Sequence, residues 1–401
     1  MRIVIVGGGI AGTSAAEELR RRDPNCEITL VCSESHPLYS RVLLTPYITG
    51  RIAREKVFLK KPEWYTEQKI EWIPEVDVER LDTGNKFIAL SNGRELPYDK
   101  LLIASGCDPR LLQEDLRGVS YLRSIDDADH LLRLLDEVGE GASALVYGGG
   151  FIGCEYLDIF THFKLQTAIA FRGPWFWSKT LDRESGELIN EHLKSKGVEV
   201  ITDVGTLKLQ GEQELASVKM NKNEKEINIL GIGIGLTTNA AWIADSKIEI
   251  SRGVRVDDQM QTVIKDVYAA GDIVEYKDPL LERSMVVRNW TGAIMQGRQA
   301  AKAILGIKES YTYLPSSIMN ALGLPLIFVG DTSREHADKI VVRGSKTEGG
   351  VTQLFIREGR LVGVSCIGRP EDRVPAMKII QSKEQVLDKI EAWKDIKNSL
   401  E

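Results

Sequence analysis

The sequence contains few cysteines, and no two of them form a C-x-x-C pair. There are five, an odd number, which fits reduced thiols in a cytosolic setting better than a disulfide framework or a structural zinc site. The five histidines show no metal-ligand spacing. We therefore predict no metal centre and no disulfide framework.

The chain also lacks a basic excess and a long apolar run. Its formal net charge is −6, so it has no surplus of cations to neutralise the phosphates of a nucleic acid. We find no run of about 18 apolar residues, the length that spans a bilayer. The first strand begins almost at Met1, which leaves no room for a signal peptide. We expect a cytoplasmic protein with no membrane span and no nucleic-acid partner.

What the chain does have is enough apolar residues for several cores. With 401 residues, 43% of them hydrophobic, the chain has enough apolar side chains to fill two or three hydrophobic cores, which is more than a single compact domain needs. A multidomain protein is the prediction.

Two copies of one glycine-rich turn are the most informative feature. Arg2–Val6 runs into Gly7-Gly8-Gly9-Ile10-Ala11-Gly12, and Ala144–Tyr147 runs into Gly148-Gly149-Gly150-Phe151-Ile152-Gly153. Each copy is a short apolar strand that ends in G-x-G-x-x-G and opens a helix, where backbone N–H groups can approach a pyrophosphate. Two such turns predict two dinucleotides bound side by side, and the usual reason for that is electron transfer between them.

An acid follows the first turn at the expected distance. The helix after Gly12 ends near Arg22, residues 27–32 form the next strand, and Glu34 lies about 20 residues after Gly12, where a βαβ fold places an acid on a ribose hydroxyl. The alternative interpretation is a solvated carboxylate in a loop, although the position after the second strand favours the ribose role.

Further strands and hairpins follow along the chain. Asn92-Gly93 predicts a hairpin between residues 86–90 and 96–98, and residues 100–104 form a short buried strand. Residues 230–236 and 267–270 are predicted strands, the second of which ends on Gly271-Asp272 at the sheet edge where open α/β folds bind ligands. Beyond about residue 308 we predict strands and hairpins over residues 315–329, 339–342, 352–356 and 360–366, with a helix from Glu384 to about Lys397.

The order of these motifs resembles that of the two-dinucleotide flavoproteins of the pyridine nucleotide-disulfide oxidoreductase superfamily. Four motifs carry the resemblance over nearly the whole chain: the first turn with Glu34, Ala104-Ser105-Gly106, the second turn with Glu155, and residues 268–272. It implies an α/β fold with two Rossmann-like, three-layer (ββα-type) dinucleotide-binding domains, the second inserted in the first, and a small C-terminal α+β domain. The implied ranges are 1–117 and 230–308 for FAD, 118–229 for NAD(P), and 309–401 for the last domain.

The resemblance also implies the cofactors and their sites. FAD would be held by Gly7, Gly9, Ile10, Ala11, Gly12, Glu34, Arg41, Val78, Ala104, Ser105, Gly106, Gly271, Asp272 and Trp290, with Asp272 on the ribityl chain. NAD(P)H would be held by Gly148, Gly150, Phe151, Ile152, Gly153 and Arg172. A helix that starts at residues 289–297 would supply positive potential beneath the flavin pyrimidine ring.

Residues 36–44 look most like those of rubredoxin reductases and the flavin module of assimilatory nitrite reductases. In this segment Arg41 would lie close to the isoalloxazine or the FAD phosphates, where a cation stabilises a reduced, anionic flavin. The alternative interpretation of Arg41 is a surface arginine. We count Arg41 and Glu155 as the catalytic residues.

The chain departs from the family pattern at the flavin-proximal thiol. Leu43 occupies the position of the single cysteine of the NADH oxidase branch, and the two-cysteine motif of the dithiol reductases is absent. The electrons are therefore expected to leave FAD directly for an external acceptor. Cys107 and Cys154 lie beside the motifs, but neither matches a redox position of the family.

A second departure concerns the nicotinamide nucleotide. The acid that binds the ribose hydroxyls in NAD-preferring members is replaced by Phe171, and Arg172 after it is the kind of group that pairs with a 2′-phosphate. NADPH is therefore at least as well supported as NADH. The aromatic run at residues 174–177 either stacks on the adenine or covers the pocket, or it packs in the core.

The resemblance implies an FAD-dependent NAD(P)H:acceptor oxidoreductase. Hydride would pass from the nicotinamide to flavin N5, with Glu155 orienting the nicotinamide; otherwise Glu155 is only a favourable carboxylate in a first helical turn. The electrons would go to a rubredoxin- or ferredoxin-like protein, a quinone or dye, or dioxygen. The competing hypothesis is an FAD-binding subunit or regulator of a larger redox complex with a degraded nicotinamide site.

The sequence leaves two questions about association open. The basic residues between Arg51 and Lys61 either dock an acidic carrier protein or form a solvated face. Both a homodimer and a monomer are compatible with the sequence.

Overall fold

The computed structural model describes residues 1–112, 116–238 and 240–400. The α-helices are α1 (Ile10–Arg22), α2 (Leu44–Ile48), α3 (Pro62–Glu67), α4 (Ile125–Val138), α5 (Phe151–His162), α6 (Arg183–Ser195), α7 (Trp290–Ile304), α8 (Arg373–Ser382) and α9 (Ile390–Trp393). The strands are β1 (Arg2–Val6), β2 (Glu27–Val31), β3 (Ile70–Ile73), β4 (Val78–Asp82), β5 (Phe87–Leu90), β6 (Glu95–Pro97), β7 (Lys100–Ile103), β8 (Asp108–Pro109), β9 (Val119–Tyr121), β10 (Ser143–Tyr147), β11 (Gln166–Ala170), β12 (Glu199–Ile201), β13 (Leu207–Gln210), β14 (Ser217–Met220), β15 (Asn223–Glu226), β16 (Ile229–Ile232), β17 (Leu236–Thr237), β18 (Val254–Val256), β19 (Val267–Ala269), β20 (Val274–Asp278), β21 (Arg283–Met285), β22 (Ser316–Ala321), β23 (Leu324–Gly330), β24 (Lys339–Ser345), β25 (Gly350–Arg357) and β26 (Arg360–Ile367).

The first of two compact units is built on a parallel five-stranded sheet. This unit comprises residues 1–43, 52–108 and 236–313, and its sheet has the order β19-β7-β1-β2-β3. The strands are short apolar runs because both faces of such a sheet are covered, and Ile3, Ile5 and Leu30 are accordingly buried. Helix α1 packs closely on α7, since a Cβ at Gly297 would lie 2.2 Å from the carbonyl oxygen of Ala11. The predicted hairpin at Asn92-Gly93 is present as the antiparallel pair β5 and β6.

The second unit contains the other parallel sheet. It comprises residues 44–51, 109–235 and 314–401, of which Glu401 lies outside the described residues, and its parallel sheet has the order β12-β11-β10-β16-β9. Strand β16 pairs with β10, so the strand predicted at residues 230–236 belongs to the nucleotide sheet of this unit and is not part of the FAD-binding range that we began at residue 230. The physical reason is that β16 is buried along its whole length beside β10.

The C-terminal part of the second unit is an antiparallel sheet with helices. Its order is β22-β23-β26-β25-β24, and the strands and hairpin predicted within residues 315–329 are present as the pair β22 and β23, which turns at Leu322-Gly323. The helix predicted from Glu384 to Lys397 is wrong: the structure has α8 before it and only the short α9 within it. Lys383 takes a left-handed conformation that ends α8. The two parallel sheets and this antiparallel sheet confirm the predicted fold class.

Within residues 1–112, 116–238 and 240–400, no helix combines the length and the apolar character needed to cross a bilayer. No group of three or more histidine, cysteine or acidic side chains there could hold a metal ion. The five cysteines are buried thiols.

Candidate dinucleotide sites

The first glycine turn has the geometry that a pyrophosphate requires. Gly7 has a φ of +118°, and a Cβ there would lie 2.2 Å from the carbonyl oxygen of Ala104. A Cβ at Gly12 would lie 2.0 Å from the carbonyl oxygen of Gly7. Gly9, by contrast, is the N-cap of α1 and offers no side chain to the helix. A Cβ at Gly9 would point into open space, with nothing within 4 Å. Two glycines therefore close the turn, and the third leaves the helix N-terminus open to an anion.

Residues on neighbouring strands complete the edge of this site. Ser105 follows β7, and its buried hydroxyl has no hydrogen-bond partner among the described residues. A Cβ at Gly271 would lie 2.9 Å from that of Ala11, so the strand end before Asp272 packs directly on the start of α1. An unpartnered hydroxyl beside an uncapped helix N-terminus fits the phosphate and hydroxyl groups of FAD. The residues present thus fit this cofactor.

The predicted ribose acid forms an ion pair with the predicted catalytic arginine. Arg41 Nη2 lies 2.5 Å from Glu34 Oε1, and Arg41 Nη1 donates to the hydroxyl of Tyr39 at 2.9 Å. The Tyr39 hydroxyl in turn donates to Glu34 Oε2 at 2.5 Å. Sequence reasoning missed the role of Tyr39, although this residue lies between Glu34 and Arg41 in the sequence and its hydroxyl is hydrogen-bonded to both of them.

The charge of Arg41 also reaches the other predicted anchor of FAD. Burial disfavours the guanidinium, but Tyr39, Glu34 and Asp272 outweigh it, so the pKa of Arg41 is raised. Arg41 thus interacts with both the predicted adenosine-ribose acid and the predicted ribityl acid. A cation within reach of both acids is suited to bind the pyrophosphate, which joins those two parts of FAD. Of the two positions predicted for Arg41, beside the isoalloxazine or beside the FAD phosphates, this interaction favours the second.

The remaining predicted FAD residues lie at the starts of elements in the first unit. Val78 begins β4 and is half-buried, and Trp290 begins α7. The cap of α7 is Asn289, whose side-chain oxygen accepts from the N–H of Gly292 at 2.7 Å. This bond satisfies one of the free N–H groups at the helix N-terminus and fixes where α7 begins.

The second glycine turn repeats the geometry of the first. Gly148 has a φ of +125° and would place a Cβ 2.2 Å from the carbonyl oxygen of Gly233. A Cβ at Gly153 would lie 2.1 Å from the carbonyl oxygen of Gly148. Gly150 caps α5 without a side chain, and the nearest atom to its built Cβ is 3.9 Å away. This helix N-terminus is therefore also open to a phosphate.

The two residues that replace the ribose acid face different ways. Phe171 is buried, and its ring would lie 3.1 Å from a Cβ at Gly149. Arg172 follows β11, is exposed, and forms no ion pair with any described residue. Phe171 thus fills space beside the turn, while Arg172 is a free cation next to it.

The aromatic run after Arg172 packs within the second unit. Phe176 is fully buried, with its ring centroid 5.2 Å from that of Phe171. Trp177 contacts Phe151, the first residue of α5, at 5.7 Å between centroids, and Phe328 of β23 at 4.9 Å. Of the alternatives for this run, core packing describes Phe176, whereas Trp177 adjoins a predicted nucleotide-binding residue.

Glu155 lies in the first turns of α5 and has an unusual protonation equilibrium. Burial raises its pKa to about 7, against which Thr45 Oγ1 donates a hydrogen bond to Glu155 Oε2 at 3.3 Å. The nearby charge of Asp158 raises the pKa further. A carboxyl that titrates near neutrality beside a nucleotide turn is a candidate for functional chemistry. Sequence reasoning missed Thr45, and no local signal marked it.

The basic segment from Arg51 to Lys61 is partly neutralised within the chain. Arg51 pairs with Asp158 at 2.9 Å, and Lys60 pairs with Glu17 at 2.8 Å and lies over the ring of Trp64. These partners reduce the charge that the segment could offer to an acidic carrier.

Two glycine turns with one geometry, each opening a helix at the edge of a parallel sheet, define a protein that binds two dinucleotides. Comparison with known families agrees: residues 1–297 match the model described as pyridine nucleotide-disulphide oxidoreductase, and residues 322–400 match the reductase C-terminal model. The chain belongs to the pyridine nucleotide-disulphide oxidoreductase family. Membership makes it an oxidoreductase and implies FAD and a pyridine nucleotide as its cofactors.

Individual relatives give the same result. The chain is 30% identical to the ferredoxin–NAD(+) reductase subunit of a benzene 1,2-dioxygenase system from Pseudomonas putida, over 99% of this chain and 96% of that one. It is 26% identical to a nitrite reductase [NAD(P)H] of Bacillus subtilis (strain 168), over 96% of this chain but only 48% of that protein, so the chain spans about half of that relative. Putidaredoxin reductase, solved in a covalent complex with putidaredoxin, shares the fold with a TM-score of 0.91 at 23% identity, over 100% of this chain and 97% of that one.

Proposed function

We propose that the chain is an NAD(P)H-dependent flavin reductase that passes electrons from FAD to a small redox protein of the ferredoxin or rubredoxin kind. The observation that carries the proposal is the pair of glycine turns, each with an uncapped helix N-terminus. A relative that the chain matches over nearly its full length is named as a ferredoxin–NAD(+) reductase subunit. No cysteine occurs between Cys32 and Cys107, so a thiol relay at the Leu43 position is absent.

The first unit supplies the FAD site in this proposal. When bound, FAD accepts a hydride from the nicotinamide and releases the electrons to the acceptor. The N-terminus of α1 binds the pyrophosphate, Glu34 accepts from the adenosine ribose, and Arg41 supplies the nearby positive charge. Because Glu34 is paired with Arg41 and Tyr39 in this structure, its carboxylate is held in a fixed orientation for the ribose.

The second unit supplies the nicotinamide-nucleotide site. The N-terminus of α5 binds the pyrophosphate, and the Arg172 guanidinium binds the 2′-phosphate of NADPH. Two features support a preference for NADPH: the absence of an acid at Phe171, and the exposed Arg172 with no carboxylate partner among the described residues. Glu155 orients the nicotinamide through its carboxyl group.

An anaerobic titration with NADH and, separately, NADPH tests the proposal. Bleaching of the oxidised-flavin band near ~450 nm by at least one nucleotide is expected if the flavin is the redox centre. Adding an oxidised ferredoxin, a rubredoxin or dioxygen to the reduced protein then compares the acceptors. Re-oxidation that is no faster with either iron protein than with dioxygen would contradict the proposed acceptor.

Arg172→Ala tests the nucleotide preference. We expect KM for NADPH to rise by roughly tenfold or more, since a charge-assisted contact contributes about 1.5–3 kcal/mol, and KM for NADH to change little. Lys179→Ala removes an exposed cation from the same loop and is the matched control. An equal effect of Arg172→Ala on both nucleotides would remove the reason for proposing NADPH.

One observation favours a second candidate function. The buried Phe171 ring against Gly149 leaves no acid for the ribose hydroxyls of NADH, as expected if the nicotinamide site were degraded. The chain would then be an FAD-binding subunit or regulator of a larger redox complex. Bound FAD that neither nucleotide bleaches would support this candidate and contradict the first.

A further inference from the structure

The segment from Leu44 to Arg51 is joined to the nucleotide-binding part of the second unit by three polar side-chain contacts. Thr45 Oγ1 donates to Glu155 Oε2 at 3.3 Å, and the Tyr47 hydroxyl donates to Asp129 Oδ1 of α4 at 2.6 Å. Arg51 Nη2 donates to both carboxylate oxygens of Asp158, at 2.9 and 3.1 Å. The segment begins with α2, which packs against both α4 and α5. It is thus tied to both helices.

The two contacts with α5 concern neighbouring acids on one face of the helix. Glu155 and Asp158 are three residues apart, so their side chains lie side by side. The charge of Asp158 disfavours ionisation of Glu155, and Arg51 neutralises part of that charge. Thr45 gives the Glu155 carboxylate a hydrogen bond. Both contacts therefore favour the ionised form of Glu155.

We propose that Thr45 is a positioning residue that orients the Glu155 carboxylate and sets its protonation state for nicotinamide binding. The inference rests on the proposed role of Glu155 in orienting the nicotinamide. Thr45 is 8% exposed, so its hydroxyl is shielded from water, and its hydrogen bond to Glu155 has little competition from solvent. Tyr47 and Arg51 keep the short helix α2 in place, so the position of Thr45 does not depend on that helix alone.

Other ionisable groups near Glu155 do not replace Thr45 in this role. On α5 itself these groups are Asp158, Cys154 and Tyr156, and the Tyr156 hydroxyl is hydrogen-bonded to Ser120 at 2.9 Å. The α2 segment contributes Arg51 and Tyr47, both of which face other acids. Of the strands packed on α5, β11, β16 and β22 carry no ionisable side chain, and the Tyr147 hydroxyl of β10 donates to the carbonyl oxygen of Gly205.

Thr45→Val tests the inference because valine keeps the shape and removes the hydroxyl. A hydrogen bond to an ionised group contributes about 1.5 kcal/mol or more, equivalent to roughly one pH unit. We expect the inflection near pH 7 in kcat/KM for flavin reduction to move upward by about one pH unit. The pH dependence of the dissociation constant for NADP+, measured without turnover, should shift in the same direction.

Three further variants make the result specific. Thr45→Ser keeps the hydroxyl and should restore the inflection toward its original pH. Thr161→Val removes a hydroxyl on α5 that donates to the carbonyl of Leu157 at 2.6 Å, and should leave the inflection in place. Glu155→Gln should abolish the inflection, and adding Thr45→Val to it should then cause no further shift.

The outcomes separate this inference from the proposed function. If Glu155→Gln abolishes the inflection but Thr45→Val does not move it, the positioning role of Thr45 is wrong and the role of Glu155 stands. If the inflection survives in Glu155→Gln, both roles are wrong. A general folding defect in the valine variant would be recognised by its loss of NADP+ binding at every pH. Thr45→Ala, which also removes the hydroxyl, would then decide: an inflection at the wild-type pH would contradict the positioning role.

Discussion

Replacing Glu155 by glutamine should stabilise the protein in alkaline solution but not in acid. Burial raises the pKa of Glu155 from its ordinary 4.5 to about 7. The folded state therefore binds more protons than the unfolded state between these two values, and the stability of the wild type falls as the pH rises through that window. Because glutamine does not ionise, the stability of Glu155→Gln should not fall over this pH range.

The size of the effect follows from the difference between the two pKa values. One pH unit corresponds to about 1.4 kcal/mol, so the ionised form of the half-buried Glu155 costs up to about 3 kcal/mol above pH 7. Below pH 4.5 the carboxyl is protonated in both states, and the cost disappears. The variant should therefore be more stable than the wild type at pH 8 by up to about 3 kcal/mol, and nearly equal to it in acid.

Urea unfolding of both proteins at pH 5 and pH 8 measures this difference. At an unchanged m value of about 3 kcal/mol/M, the upper end of the range for small proteins, a gain of about 3 kcal/mol moves the midpoint by about 1 M, and by somewhat less if the larger chain has a larger m value. Glu184→Gln is the matched control, because Glu184 is an exposed carboxylate on α6 of the same unit. The reasoning would be refuted if Glu155→Gln changed the midpoint equally at both pH values, or if the variant were the less stable protein at pH 8.

The features that the sequence predicted well are those determined by residues close together in the chain. A glycine at the end of an apolar strand predicts the turn because the required φ and the close approach of backbone are local: Gly12 meets the carbonyl of Gly7, and Gly153 that of Gly148. The hairpin at Asn92-Gly93 is local in the same sense.

Features that depend on distant pairing were not predicted. The strand β16 has the composition of any buried parallel strand, so nothing in it shows that its neighbour is β10. The contact between Thr45 and Glu155 joins residues 110 positions apart. The helix α8 was missed because Pro375 lies within it, yet proline is tolerated there since the first-turn N–H groups have no intrahelical partner.

Two other substitutions test the FAD site and the stability of the C-terminal part of the second unit. Glu34→Ala should reduce the FAD content after purification, because it removes the predicted ribose acceptor together with its ion pair to Arg41; Glu27→Ala is the exposed control, and an unaltered FAD content would contradict the ribose role. Asp372→Asn should destabilise the fold by about 3–5 kcal/mol, the usual result of removing one partner of a buried ion pair. Asp372 accepts from Thr352 at 2.7 Å and from Arg369 Nε at 3.1 Å, and it lies 3.5 Å from the Nε of the buried Arg343. The neutral amide would leave two guanidinium groups without their shared anion, and a urea midpoint equal to that of the wild type would show that other groups already balance their charge.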